Sequence, residues 1–415
     1  MRLHRRNGVL FLVLAGVALL AGPGCSGEAP TTPVADTASR MPAATVPPPA
    51  TSSGPAPADK HAPGARAANP SAPAAPTSQR RLRLAKTVSV PHLASKSVVA
   101  SGTGLFFAQN MMYEHTISVF DGAGTLVRTI PDSVDLSKFG VSGHPGISRG
   151  APVEAAFSPD RRFAYVSNYS MYGAGFGPEG QDSCSPATGY SDSYLYRVDV
   201  STLAVDQVIG VGAVPKFVAT SPDGKRVLVS DWCSYALSVV DTASGREIKR
   251  IPLGPYPRGI VVTPDSSTAY VAVMGATRIA VVNLRTYAVG SIGGVGSGPR
   301  HLVLDPAGRY LYVTLNGEGD VAKVDLRTRA VVARVATGQA PRSMAISTDG
   351  QSLYVVNYSS GTMSKVNTAT MQVVQNVTTG YHPIGVTYDP KSGDVWVANY
   401  SGTLMIYQDE RGGLG

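Results

Sequence analysis

Tyr312-Val313-Thr314-Leu315-Asn316 is a short aromatic and β-branched run that stops at an asparagine. Variants of it begin at Tyr270-Val271, Tyr354-Val355 and Trp396-Val397, each 42 residues from the next. Pro215, Pro257, Pro299, Pro341 and Pro383 keep the same spacing, and so do Asp199, Asp241, Asn283, Asp325 and Asn367. Three independent anchors with one period mark an internal repeat. Each unit reads as four strands, here lettered a to d. In one unit they are like Ser343–Ser347, Leu353–Asn357, Thr362–Val366 and Val373–Val377. Turn residues such as Ser221-Pro222-Asp223-Gly224 separate them, and no helical periodicity intervenes.

Four strands in about 42 residues predict a β-propeller blade. The strand-b anchors Phe106, Tyr165, Leu228, Tyr270, Tyr312, Tyr354 and Trp396 number seven blades. The last unit stops after its third strand, Leu404–Tyr407, while a lone strand, Leu84–Val90, precedes the first. The expectation is an all-β, seven-bladed propeller of four-stranded blades. Its N-terminal strand completes the last blade, which removes two open sheet edges.

Tyr312-Val313-Thr314-Leu315-Asn316, with Tyr165-Val166-Ser167-Asn168 and Tyr354-Val355-Val356-Asn357, resembles the YVTN-repeat β-propeller family, over roughly residues 84–408. The resemblance implies the propeller architecture and a surface or envelope protein. It implies no particular activity, although more distant propeller relatives include lactone hydrolases, lyases and cofactor-bearing dehydrogenases.

Ahead of the repeat the composition changes. Residues 1–25 read as a signal peptide of the lipoprotein type, with Arg2, Arg5 and Arg6 before the apolar run Val9–Ala21. Thirteen apolar residues are too few to span a ~30 Å bilayer core. The run ends at Gly22-Pro23-Gly24-Cys25, where Cys25 is the expected site of lipidation. Residues 26–83 form a Pro/Ala-rich disordered tether; between 26 and 79 there are 12 prolines and no aromatic side chain. The domain proper is 84–415. The net charge of +8 belongs largely to the leader and tether: the three leader arginines with Arg80, Arg81, Arg83 and Lys86 account for seven of the eight. The repeat is nearly neutral, so nucleic acid is an unlikely partner.

Two irregularities interrupt the repeat. About 15 extra residues lie near 133–147, in a d–a loop, and 21 near 171–190, in a b–c loop. Both loop types leave the same face of an up-and-down blade and bracket blade 2, so together they predict a cap. Cys184 lies in the longer insertion and Cys233 ends strand b of the next blade. An exported protein would oxidise them to a disulfide.

The same face gathers the polar candidates. Lys216, Arg258, Arg300 and Arg342 each follow the repeat proline, and strand a is innermost, so they ring one mouth of the central channel. Tyr169 and Trp232 follow strand b on the same side, and His382 precedes Pro383. These seven are the candidate ligand-binding residues. Glu154 and His301 are the candidate catalytic pair. Pairing within the repeat, turn capping and inter-blade packing compete as explanations for the recurrent residues. No linear catalytic motif is present, and nothing calls for a cofactor or a metal ion. The expected function is that of a lipid-anchored, extracytoplasmic binding scaffold of the cell envelope, acting on a glycan, peptide or protein through the capped face. The alternative is a lactonase- or lyase-like enzyme acting on a small anionic substrate at the channel mouth.

Overall fold

In a computed structural model the structure describes residues 75–411. Seven antiparallel sheets follow one another around a ring. Blade 6 shows the regular unit: Pro341–Ile346, Ser352–Asn357, Thr362–Asn367 and Gln372–Thr378, joined in sequence order. Each strand lies within two residues of its place in the repeat.

Burial falls from the hub outward. Strand b of blade 6 is buried at every position, because neighbouring blades cover both its faces. The outer strand of blade 5, Ala330–Ala336, alternates between exposed and half-buried positions. The core therefore lies between blades. Leu228, Leu237 and Val239 of blade 3 pack against Ile260, Ala269 and Val271 of blade 4. Phe106 of blade 1 stacks on Trp396 of blade 7 at 3.9 Å.

The ring closes as the repeat implies. Blade 7 consists of Pro383–Tyr388, Val395–Asn399 and Thr403–Arg411, and its fourth strand is Arg80–Val88. That strand begins four residues before the expected Leu84. The segment just ahead of it also engages the propeller: Thr77 donates from its backbone N–H and its hydroxyl to Asp349, at 2.8 and 2.7 Å. Residues 77–83, assigned from composition to the tether, belong to the fold.

The recurrent Asp and Asn after strand c are turn caps. Asp199, Asp241, Asn283, Asp325 and Asn367 all accept hydrogen bonds from backbone N–H groups two or three residues on. A recurrent glycine before strand a has an equally local reason. A Cβ on Gly338 would stand 2.8 Å from Asn357 Cγ, so only glycine lets the loop lie on the end of strand b.

Both insertions are ordered. The first adds an edge strand, Ser133–Asp135, to blade 2 and continues as a short 3-10 turn, Leu136–Phe139. The second links Phe163–Tyr172 to Ser193–Asp199. Cys184 and Cys233 form a disulfide with their Cα atoms 5.4 Å apart, tying the second insertion to blade 3.

Candidate functional site at the channel mouth

A backbone device repeated from blade to blade positions the site. The residue before the repeat proline is left-handed in five blades: Val214 (φ 56°), Tyr256 (61°), Gly298 (65°), Ala340 (54°) and His382 (52°). A β-bulge follows at once. Pro215 faces Asp231 while Phe217 faces Ser230, so Lys216 is the extra residue. Arg342 is the extra residue between Pro341, opposite Asn357, and Ser343, opposite Val356. The ladders of blades 4 and 5 slip by one residue at the same place, across Arg258-Gly259 and Arg300-His301. A bulge re-aims side chains at the end of a strand. Here it turns the basic residues to the mouth and leaves the next residue to line the channel.

Lys216 is buried, and Arg258 and Arg300 are each only 9% exposed. Lys216 lies 4.2 Å from the centre of the Tyr169 ring and 5.3 Å from that of Trp232. Arg342 stacks over Tyr358 at 3.6 Å. Sequence reasoning missed Lys96, which joins the ring from blade 1. That blade lacks the repeat proline, so spacing from the proline could not find it. Burial pushes the Lys96 ammonium well below its usual value, and the charges of Lys216, Arg258, Arg300 and Arg342 push it the same way. Five cations therefore share one field.

Two carboxylates answer them. Asp182, from the second insertion, accepts hydrogen bonds from Lys216 Nζ at 2.5 Å and from the Tyr169 hydroxyl at 3.2 Å. Partial burial pulls its carboxyl up, but Lys216, Lys96 and Arg258 together hold it well below the usual carboxylate range. Burial lowers Lys216 to about 7, with Asp182 opposing. Glu154 is raised to about 7 by burial, against the pull of Arg258.

The guanidinium groups are poorly answered. The Nε atoms of Arg300 and Arg342 are buried without a hydrogen-bond partner. Among the described residues Arg300 reaches only Met274 Sδ, at 4.0 Å. Burial depresses Arg258 to about 10 and sets Arg300 well below its ordinary value, and neighbouring guanidinium charges add to both.

Below the mouth, Glu154 and His301 line one channel cavity of ≈ 230 Å³, together with Ser97, Phe217 and Ser343. Burial, then Arg258 and Arg300, lowers His301 to about 3, so its imidazole is neutral at ordinary pH. Phe217 packs edge-on to it at 5.2 Å. The candidates thus fall into two layers, cations above and the Glu154–His301 pair below. His382 stands apart on the rim, stacked on Tyr358 at 4.1 Å and on Tyr381 at 3.7 Å. Among the described residues no three His, Cys, Asp or Glu side chains gather as a metal site would need. No helix among them is long and apolar enough to cross a membrane. Cys25 lies outside the described residues.

Residues 300–392 match the model of a family described as the cytochrome D1 heme domain, a span of less than a quarter of the chain. No curated protein matches. Among solved structures, a Kuenenia stuttgartiensis hydrazine synthase chain is 19% identical with a TM-score of 0.60, covering 77% of this chain and 96% of that one. The WD40 β-propeller domain of Doa1 is 12% identical with a TM-score of 0.61, covering 80% of this chain and 98% of that domain. At such identities the likeness is one of fold. The chain is a seven-bladed β-propeller.

Proposed function

We propose that this propeller is an extracytoplasmic binding scaffold whose ligand is a compact anion held at the capped mouth. One observation carries the reading: Arg258 and Arg300 are nine-tenths buried, and among the described residues no oxygen receives a hydrogen bond from Arg300. Taking a guanidinium out of water costs several kcal/mol unless something compensates it. A bound carboxylate or phosphate would compensate, and the arginine fork suits either. The disulfide supports an oxidising compartment, and lipidation at Cys25 would display the head from a membrane surface.

The test is thermal unfolding with acetate or inorganic phosphate. An anion that binds only the folded state raises the melting temperature as its concentration rises. The increase should vanish in Arg300→Met. Flat titrations with both anions would defeat the reading.

The matched family's description raises the question of haem. An axial histidine needs open space beside it. His301 faces a cavity of ≈ 230 Å³, below the ~300–1,000 Å³ of ordinary small-molecule sites, and Phe217 packs on its ring. His382 is stacked between two tyrosine rings. These residues do not fit the group.

A second reading is favoured by the lower layer. Glu154, near 7, is poised as a general base beside Arg258, which suits the opening or elimination of a small anionic substrate such as a lactone. Loss of lactone opening in Glu154→Gln, with anion binding kept, would support it. Absence of turnover by the native protein would remove it.

A further inference from the structure

The second insertion does more than cover the mouth, because it delivers a charge. Its backbone is held at several points. Trp232 Nε1–H donates to the Asp182 carbonyl at 2.8 Å, and the Tyr235 hydroxyl to the Cys184 carbonyl at 2.7 Å. The Gly180 N–H donates to Ser170 Oγ at 2.9 Å, and the disulfide fixes the end. This scaffold carries the Asp182 carboxylate onto Lys216. The carboxylate remains 75% exposed, while the lysine side chain beneath it is 4% exposed. Asp182 therefore sits at the solvent side of Lys216 in the cation ring.

Its electrostatic reach exceeds that of Glu154, the other carboxylate of the site. Lys96, Lys216 and Arg258 act on Asp182, and Asp182 acts on Arg300 and Arg342. Glu154, lower in the channel, is coupled to Arg258 and Lys96. One tethered carboxylate thus occupies the Lys216 end of the ring and leaves the arc from Arg258 to Arg342 open.

We propose that Asp182 is a built-in anion that sets the charge specificity of the site: the arginine arc takes a ligand with a single compact anionic group, and polyanions are excluded because they must displace Asp182 from Lys216. This rests on the anion-binding reading above. An exposed carboxylate is a soft barrier in high dielectric, and one charge at this range changes affinity by about tenfold. The cost falls on the second and third charges of a polyanion more than on the first. Asp182 thus acts as a repulsive element, discriminating between anions the ring would otherwise accept alike.

The experiment is calorimetric titration of inorganic phosphate, pyrophosphate and tripolyphosphate into the full chain at ~0.15 M salt. Asp182→Asn should tighten tripolyphosphate about tenfold or more and phosphate by less than about threefold, reversing the native preference. Asp182→Glu should keep the native order. Cys184→Ser with Cys233→Ser, which unties the loop, should move the preference in the same direction as Asp182→Asn. An unchanged phosphate-to-tripolyphosphate ratio in Asp182→Asn, or weaker binding of both, overturns the proposal. If native protein and variants bind none of the three anions, the anion site itself fails. If all bind and Arg300→Met abolishes binding while the ratio stays fixed, only the role of Asp182 fails.

Discussion

Two clusters of buried charge lie at different places in this ring, and they are built in opposite ways. At the closing seam, the side chains of Lys365 and Asp409 are both fully buried. Lys365 Nζ donates to Asp409 Oδ1 at 2.5 Å and to the Arg80 carbonyl at 3.0 Å, and the Tyr354 hydroxyl donates to Asp409 Oδ2 at 2.6 Å. Nearby, Gln375 accepts from the Leu82 N–H and donates to its carbonyl. At the mouth, Arg300 is nearly as deep and its Nε has no partner. Burial of charge does not separate structure from function here. What separates them is whether the protein supplies the counter-group.

The largest effect expected is at the seam. Removing residues 75–88 takes a whole strand from blade 7 and leaves an open edge. Such a chain should aggregate or lose its cooperative unfolding transition. A deletion that stops before Thr77 should spare it. Equal melting curves for the two truncations would break the comparison at its first term.

The next pair of variants tests it by sign. Asp409→Ala strands a buried ammonium and should cost about 3–5 kcal/mol. Arg300→Met removes a buried charge with no hydrogen-bonded counter-group among the described residues, so the free protein should melt higher while its response to anions disappears. Denaturant titrations of the two, moving in the same direction, would erase the distinction between seam and mouth.

The lower channel adds a pH dependence. Glu154 titrates at about 7 in the folded chain, against an ordinary 4.5, because burial disfavours its charge. The folded state holds that proton more tightly than the unfolded chain does. The stability this contributes is complete below pH 4.5 and is lost as pH rises through 7. Glu154→Gln should flatten the stability profile over that window, by at most about 3–4 kcal/mol. Parallel profiles for variant and native protein would count against a buried Glu154.

The smallest effect belongs to the rim. Ala340 is left-handed, a conformation that costs an L-residue roughly 1–2 kcal/mol. Ala340→Gly should gain up to about 1 kcal/mol and loosen the aim of Arg342, seen as weaker anion binding. A gain in stability with unchanged affinity would show that the strained turn does not aim the arginine.

The architecture was legible because the repeat states it several times. Seven strand-b anchors and five prolines leave no room for another count. The disulfide was legible from compartment and from the placement of Cys184 and Cys233 on one face. The start of the closing strand was not, since Arg80, Arg81 and Arg83 read as tether although they pair with Arg411, Glu410 and Gln408. At the site, the residue after the proline gave four cations, but a bulge has no sequence signature of its own. Lys96 escaped because blade 1 departs from the repeat. Among the described residues His382 meets the cation ring only through Tyr358, on which its own ring stacks and over which Arg342 lies. Asp182 is one acid in a long loop with no repeat position to mark it, and its partner Lys216 could be assigned only once the cap had a shape.

Closing the ring with its first strand also orders events in time. Arg83 meets Glu410 across 327 residues of chain. The first strand made must wait, unpaired, until the last one has been synthesised. Blades 1 to 6 hold all their strands within one continuous stretch each and can form as they emerge. Blade 7 depends on the most distant strand pairing among the described residues, the kind of contact that makes folding slow. During that wait both a free strand and an open sheet edge are exposed to other nascent chains, and a second copy could donate its own first strand to the gap. The step that locks the native ring is therefore also the one at which strand exchange between neighbouring chains competes.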